Sequence, residues 1–346
     1  MFEHVILEAG GPLNPHIKTV GDLDSDGTDE LVVASSAGGP LVWYDLSDIS
    51  RHEIAPSGQW SCDAKLVDMD GDGDLDLVIS EWYGKNVIEW YENPLPSGAP
   101  TAGPWKRHVI GPPRAHDIAV ADLDADGSLE IVTRDQGQKG DRILVFKRVG
   151  NEWRQRTIPC PAGEGLAIGD LTGNGCLDIM IGGLWYEALA DPLGGNWTER
   201  RFADWPEDAV VRAADMDGDG RLDVVLTRSE GPHRVSWFAP PPDPRQGRWT
   251  EHVIGDDVDF AHSLAVCDLD GDGRPDVVTA EMHQSARKRV LAFFNDGESI
   301  RWRREVVATT GSHNMGVARL ADGRQALVGA NWSGPHQPVE MWVYRP

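Results

Sequence analysis

The sequence is poor in cations and in cysteine, and it has no long apolar run. Lys plus Arg number 32 against 56 Asp plus Glu, a formal net charge of −24. That shortage of positive charge argues against a general nucleic-acid binder and against adhesion to anionic lipid, both of which need a basic footprint. The four cysteines, Cys62, Cys160, Cys176 and Cys267, have neither the paired spacing of a zinc site nor the density of a disulfide scaffold. No stretch approaches the roughly 18–20 continuous apolar residues of a membrane span. The N-terminus, Met1-Phe2-Glu3-His4-Val5, lacks a basic n-region and an apolar h-region, so the chain as written shows no secretory leader. The compartment stays open: cytoplasmic, or exported with its leader removed. There is no Gly-Lys-Ser/Thr phosphate loop, no G-x-S-x-G nucleophile elbow and no helical period. What is present is 40% apolar residues, enough for a large core, with 39 Gly, 23 Pro and 14 Trp that imply many turns and short elements.

One internal repeat organises all 346 residues. An Asp-x-Asp-x-Asp-Gly signature starts at Asp22, Asp68, Asp122, Asp215 and Asp268, a softened copy (DLTGNG) at Asp170, and a decayed copy (RLADG) at Arg319. The start-to-start spacings are 46, 54, 48, 45, 53 and 51. The sixth unit shows the common order: AHSLAVC before the acidic turn, then PDVVTA, KRVLAFFN and WRREVV. Short alternating runs bounded by Gly, Pro and Asp read as antiparallel strands, and four per unit is the pattern of a propeller blade. The expectation is an all-β, seven-bladed β-propeller, a single domain over residues 1–346. The opening FEHVI matches the fourth strand of other units, KRHVI and TEHVI, and the chain ends on VEMWVY, a third strand. The N-terminal strand should therefore complete the last blade and leave no large open sheet edge.

Positions 1, 3, 5 and 9 of each turn carry oxygen side chains. These are Asp22, Asp24, Asp26 and Glu30, then Asp68, Asp70, Asp72 and Asp76, then Asp122, Asp124, Asp126 and Glu130. The later full copies have Asp215, Asp217, Asp219 and Asp223, and Asp268, Asp270, Asp272 and Asp276. The softened copy keeps Asp170, Asn174 and Asp178. This spacing, like the start of an EF-hand loop, suits a hard cation with several oxygen ligands, and Ca²⁺ fits best. Up to about six structural Ca²⁺ ions are expected, weakest at the softened turn and none at the decayed one.

The pattern (V/A)xDLDGDGxxDLVV followed by a VxWYxN-like strand resembles the FG-GAP or VCBS repeat family of β-propellers, over essentially the whole chain. The resemblance implies the propeller fold and Ca²⁺ loops. It leaves function open, because members include integrin-like adhesion heads, lectin-like modules and two kinds of carbohydrate lyase. One is the aldos-2-ulose dehydratase type and the other the rhamnose–glucuronate lyase type of polysaccharide lyase. No catalytic residue carries over from either.

The first strand of every blade should line the central channel. Six residues before each turn stand His16, Cys62, His116, Glu164, Ala209, His262 and His313. Four His in one column, from 11 in the chain, point to a functional ring. His262, His313 and His16 lie in consecutive blades and are expected to share a metal such as Zn²⁺ or another divalent ion. His116 and Glu164 are left as acid or base, with Tyr83 a further proton donor. Loops on the same face should add a rim of Glu81, Trp82, Arg134, Asp135, Arg228, Glu281, His283, Asn331 and Trp332, with Trp60, Asp63, Trp205 and Asp208 from the loops entering first strands. Unrepeated Trp with charged residues suits a sugar. By contrast Trp43, Trp90, Trp237 and Trp342, and Trp105, Trp153, Trp197, Trp249 and Trp302, recur by position and belong to packing, with Trp185 in either class. The function expected is a metal-dependent carbohydrate lyase or dehydratase acting by β-elimination on a sugar, keto-sugar or uronate. The alternatives are a non-catalytic propeller binding carbohydrate or protein, and a glycoside hydrolase using Glu164 with Asp63 or Asp208. Oligomeric state is left open.

Overall fold

The computed structural model describes residues 1–81, 85–135, 140–188, 190–297 and 301–346, without the side chain of Ser61. Its strands form seven four-stranded antiparallel sheets arranged as a ring. Six blades take consecutive strands. The seventh takes the last three, Gly316–Arg319, Gln325–Gly329 and Val339–Tyr344, and is completed by Phe2–Glu8. In that closure Phe2 pairs with Tyr344, Glu3 with Val343 and His4 with Trp342. Among the described residues the only helical element is a 3₁₀ turn, Pro100–Ala102, and no helix is long and apolar enough to cross a membrane.

The apolar residues do not form one central core. They form seven clusters, each between neighbouring blades: Leu41, Trp43 and Leu77 join blades 1 and 2, for example, and Trp237, Leu264 and Phe293 join blades 5 and 6. Second strands such as Glu30–Ser35 and Asp276–Glu281 are buried along their whole length. With burial spread between blades, the axis itself is free to be polar.

The repeated aromatics have repeated partners. Trp43, Trp90, Trp237 and Trp342, in third strands, lie on His52, His108, His252 and His4 of the neighbouring fourth strands, at centroid distances of 4.3, 4.1, 4.0 and 5.7 Å. Trp185 takes the same place in blade 4, fully buried, with the Arg200 guanidinium 5.6 Å from its ring. That settles Trp185 as a packing residue. Trp105, Trp197 and Trp249 each donate their indole N–H to the carbonyl five residues earlier, of Pro100, Pro192 and Pro244.

The channel strands carry a further device. In blades 1, 3 and 6 the register between first and second strands slips at the ring histidine. Pro15 pairs with Ser35 but Ile17 with Ala34, Ala115 with Asp135 but Asp117 with Arg134, and Ala261 with Glu281 but Ser263 with Ala280. His16, His116 and His262 are each the extra residue of a β-bulge, which re-aims a side chain without ending the ladder. Cys62, at the same level in blade 2, sits at φ +76°, in the left-handed region.

Candidate functional site

The histidine ring and the acidic turns lie at opposite ends of the channel strands, so they are separate sites. At the ring end, four imidazoles and one carboxylate meet. Glu164 is the link: one oxygen lies 3.0 Å from His116 Nε2 and the other 3.2 Å from His262 Nε2. His116 Nδ1 is 3.1 Å from Asp117 Oδ2, which also accepts the amide of Gly165 at 2.9 Å. From His262 the rings continue as a stack, His313 at 4.1 Å, then His16 at 4.6 Å from His313, then Trp332 at 5.0 Å from His16.

The structure brings together a different trio from the three histidines expected to share a metal. His116, Glu164 and His262 are a trio whose ligand atoms all lie within 4.8 Å of one another. His16, His313 and His262 instead lay their rings along each other. The trio fits a divalent cation. Glu164 Oε1, the oxygen on the His262 side, is buried and makes no hydrogen bond. Two imidazoles and a carboxylate are also a common donor set for a borderline metal.

Electrostatics divides the four histidines into two pairs. Burial holds the His16 and His313 rings well below the usual imidazole value, helped by Lys18 and by the other histidines, so both are neutral. Burial also opposes charge on His116 and His262, but the acidic groups around them outweigh it, Cys62, then Asp117 and Glu164 for His116 and Glu164 for His262, and both are raised. Glu164, itself buried, is held well below the carboxylate range by those two imidazoles.

A cavity of ≈ 190 Å³ opens over this cluster, lined by His16, His313, Glu230, Gln284 and Trp332 among others. A second, of ≈ 270 Å³, reaches His116 and Glu164 past Glu207 and Asp208. Beneath the ring the channel narrows to a space of ≈ 40 Å³ beside Asp63, Asp117 and Arg212. Asn314 closes it there by donating from blade 7 to the carbonyls of His16 and Cys62.

Several expected rim residues turn out to be framework. Trp60 is 1% exposed within the core between blades 1 and 2. Trp205 is 6% exposed and stacks on His233 at 4.6 Å. Arg134 is buried and donates to the carbonyls of Gly140, Pro161 and Gly165, which ties blade 3 to the loop that carries Glu164. Asp135 pairs with Arg142, Glu81 with Lys85, and Glu281 with Arg289 and Arg287. Asn331 donates to the Thr310 carbonyl. Arg228 lies over Gly231 and donates to the Pro232 carbonyl. Asp63 pairs with Lys65 and accepts the Ile118 amide, joining blades 2 and 3 below the ring. His283 stands edge-on to Trp332 at 5.3 Å, and Asp208 forms a backbone bridge with Glu164. Trp82 and Tyr83 lie outside the described residues.

The sequence reading missed Asp117, Asn314 and Glu230. The column one residue after the ring (Ile17, Asp63, Asp117, Gly165, Val210, Ser263 and Asn314) carries four polar side chains and would have flagged the first two.

At the other end, the turns share one hydrogen-bond pattern. The first Asp accepts amides four and five residues on, as Asp22 does from Asp26 and Gly27. The ninth residue accepts the amide of the second: Glu30 from Leu23, Asp76 from Met69, Glu130 from Leu123, Asp178 from Leu171, Asp223 from Met216 and Asp276 from Leu269. Residues 1, 3 and 9 converge within 4.8 Å in turns 1, 2, 3 and 5. Burial, with like charges around it, pushes Glu30 up to about 8, Asp76, Asp178 and Asp223 to about 7, and Asp276 to about 6. Glu30 Oε1 and Asp270 Oδ1 are buried without a hydrogen-bond partner. Oxygen-only clusters with unsatisfied lone pairs fit Ca²⁺. The softened turn keeps the backbone pattern through Asp170, which accepts from Asn174 and Gly175. In the decayed turn Asp322 is paired with Arg324.

The FG-GAP-like repeat profile matches residues 22–79, 68–133 and 215–279, together just over half of the chain. The chain belongs to the FG-GAP-like repeat family. No curated protein matches this family member in sequence. Solved structures match it in fold alone. A chain of the mitotic checkpoint complex aligns at TM-score 0.63 and 12% identity, over 99% of this chain and 91% of its own. BBS1N, from its complex with ARL6DN, aligns at 0.63 and 12%, over 99% and 96%. The exotype rhamnogalacturonan lyase YesX aligns at 0.55 and 13%, over 99% and 75%. The propeller fold is thus shared with chains of two complexes and with a rhamnogalacturonan lyase.

Proposed function

We propose that the funnel is a carbohydrate β-elimination site that holds a divalent cation on His116, Glu164 and His262 and dehydrates a neutral keto-sugar. The observation that carries this reading is the convergence of those three side chains beside two neutral imidazoles at the floor of an open cavity. A cation there would polarise a substrate carbonyl and stabilise the charge that develops when the α-proton leaves.

The chain's own groups supply the proton transfers. His313 is neutral and lines the cavity, so its imidazole can accept the α-proton. Glu230 lines the same cavity, and burial beside Glu164 raises its carboxyl, so it can return a proton to the departing hydroxyl. In balance, one C–H and one C–O bond break, a C=C bond forms and water leaves. Trp332 offers a face for the C–H side of a sugar ring. Among the described residues, the two open cavities are lined by Glu164, Glu207, Asp208 and Glu230 and by no Lys or Arg. That wall repels a carboxylate, which favours a neutral keto-sugar over a uronate.

The test is a panel of keto-sugars and uronates followed by the absorbance of the conjugated product, with metal content measured in parallel. Turnover of a neutral keto-sugar, lost in His262→Ala and Glu164→Gln along with one bound metal, supports the reading. Full turnover of a confirmed substrate in both variants sinks it.

A further inference from the structure

The five full acidic turns read alike in sequence, but the third differs in what stands beside it. In the third strand of blade 3, Arg142–Val149, register places Lys147 across from Glu130. Its ammonium reaches into the turn. Nζ lies 2.8 Å from Asp124 Oδ2, 2.7 Å from Asp126 Oδ2 and 2.8 Å from Glu130 Oε1. These are positions 3, 5 and 9, three of the four carboxylates that a Ca²⁺ ion in this turn would use. The remaining one, Asp122, accepts the amides of Asp126 and Gly127.

No other blade puts a cation at this register position. In blade 1 it is Asp45, across from Glu30. One step beyond the last paired residues it is Glu92 in blade 2, Glu187 in blade 4, Ala239 in blade 5 and Phe294 in blade 6. The contrast is sharpest with turn 1, where the residue across from the ninth position is a further acid, Asp45, rather than a lysine.

We propose that Lys147 is a built-in counter-ion that takes the place of Ca²⁺ in the third turn. The ammonium lies within ion-pair distance of three carboxylates and hydrogen-bonds to both oxygens of Asp124, so much of the charge that a cation would neutralise is already neutralised within the chain. A Ca²⁺ ion could enter only by displacing the ammonium, because otherwise two cations would share a side-chain cage built for one. The third turn stays formed at any calcium concentration, while its neighbours depend on the ion. This rests on the reading of those neighbours as Ca²⁺ sites.

The experiment is calcium titration of the whole chain by calorimetry after exhaustive chelation, on wild type, Lys147→Gln, Asp124→Asn and Asp24→Asn. Lys147→Gln is expected to bind one more Ca²⁺ than wild type. Asp124→Asn should leave the stoichiometry of wild type unchanged, whereas Asp24→Asn, the same change in turn 1, should lower it by one. Equal uptake by wild type and Lys147→Gln overturns the proposal, and so does loss of one ion in Asp124→Asn, which does not depend on how the lysine variant folds. If wild type takes up none and Lys147→Gln takes up one, the calcium reading of the other turns fails and the role of Lys147 stands.

Discussion

On the turn face, the ninth residue accepts the amide of the second in blades 1 to 6, with Asp or Glu each time. On the funnel face, one column reads His, Cys, His, Glu, Ala, His and His. The first face repeats because every blade needs the same thing there, a closed turn between its first two strands. The second face varies, and on the proposed reading the blades divide the work of meeting a single ligand on the axis. A residue that repeats around the ring is therefore read as framework, and one that breaks the repeat as a candidate for function. Lys147 warns that this works only for residues seen with their neighbours, since it changes the third turn from a strand away.

The largest expected effect separates the two faces cleanly. Glu164→Gln should lower turnover of a confirmed substrate by about 10²–10⁴-fold, the usual worth of a positioned charged group in proton-transfer chemistry. Its melting temperature should stay within a degree or two, measured by calorimetry. A large fall in stability would mean that Glu164 belongs to the framework after all. The converse perturbation is chelation. Each turn that binds Ca²⁺ contributes about 2.7 kcal/mol when free ion is a hundredfold above Kd, so excess chelator should lower Tm by several degrees or more. An unchanged Tm would remove structural calcium from the account.

A smaller effect follows from the raised carboxylates of the turns. In calcium-free protein, burial holds Glu30 at about 8 and Asp76 and Asp223 at about 7, above the ordinary values near 4 of an unfolded chain. Between roughly pH 4 and 8 the folded state thus binds more protons than the unfolded one, and stability falls as pH rises. Calcium favours the ionised carboxylates and should flatten that slope. Thermal melts at pH 5 and pH 8, with chelator and with calcium, check it, and a calcium-free Tm that climbs with pH would contradict it. The smallest effect belongs to neither face. His108→Ala removes the ring stacked on Trp90 at the outer edge and should cost about 0.5–1.5 kcal/mol by denaturant titration, with no change in calcium uptake.

The fold was legible because each blade restates it. The turn spacings, the strand order and the match of FEHVI to other fourth strands specified seven blades and their closure before any coordinate. The ring column was legible for the same reason. Which histidines meet was not. Order around the ring placed His262, His313 and His16 together, but the stack of their rings and the reach of Glu164 to His116 and His262 depend on bulges that the alternation pattern does not show. Trp60 and Trp205 broke the repeat and so looked like rim residues. They are core residues, each of a single interblade seam, blades 1 and 2 for Trp60 and blades 4 and 5 for Trp205. Arg134 likewise looked like a substrate contact. Its partners are three loop carbonyls, and a sequence carries no sign of where a carbonyl will point.

The bulges at His16, His116 and His262 bear on how such a ring can change over evolutionary time. A bulged residue sits outside the ladder, so the pairs on either side of it do not depend on its identity. Replacing it alters the axis while leaving strand register and the interblade cores as they were. The propeller can therefore drift in chemistry at a handful of positions, blade by blade, without passing through unfoldable intermediates. One frame can serve unrelated ligands for that reason, and the turns, which have no such slack, keep the family's signature.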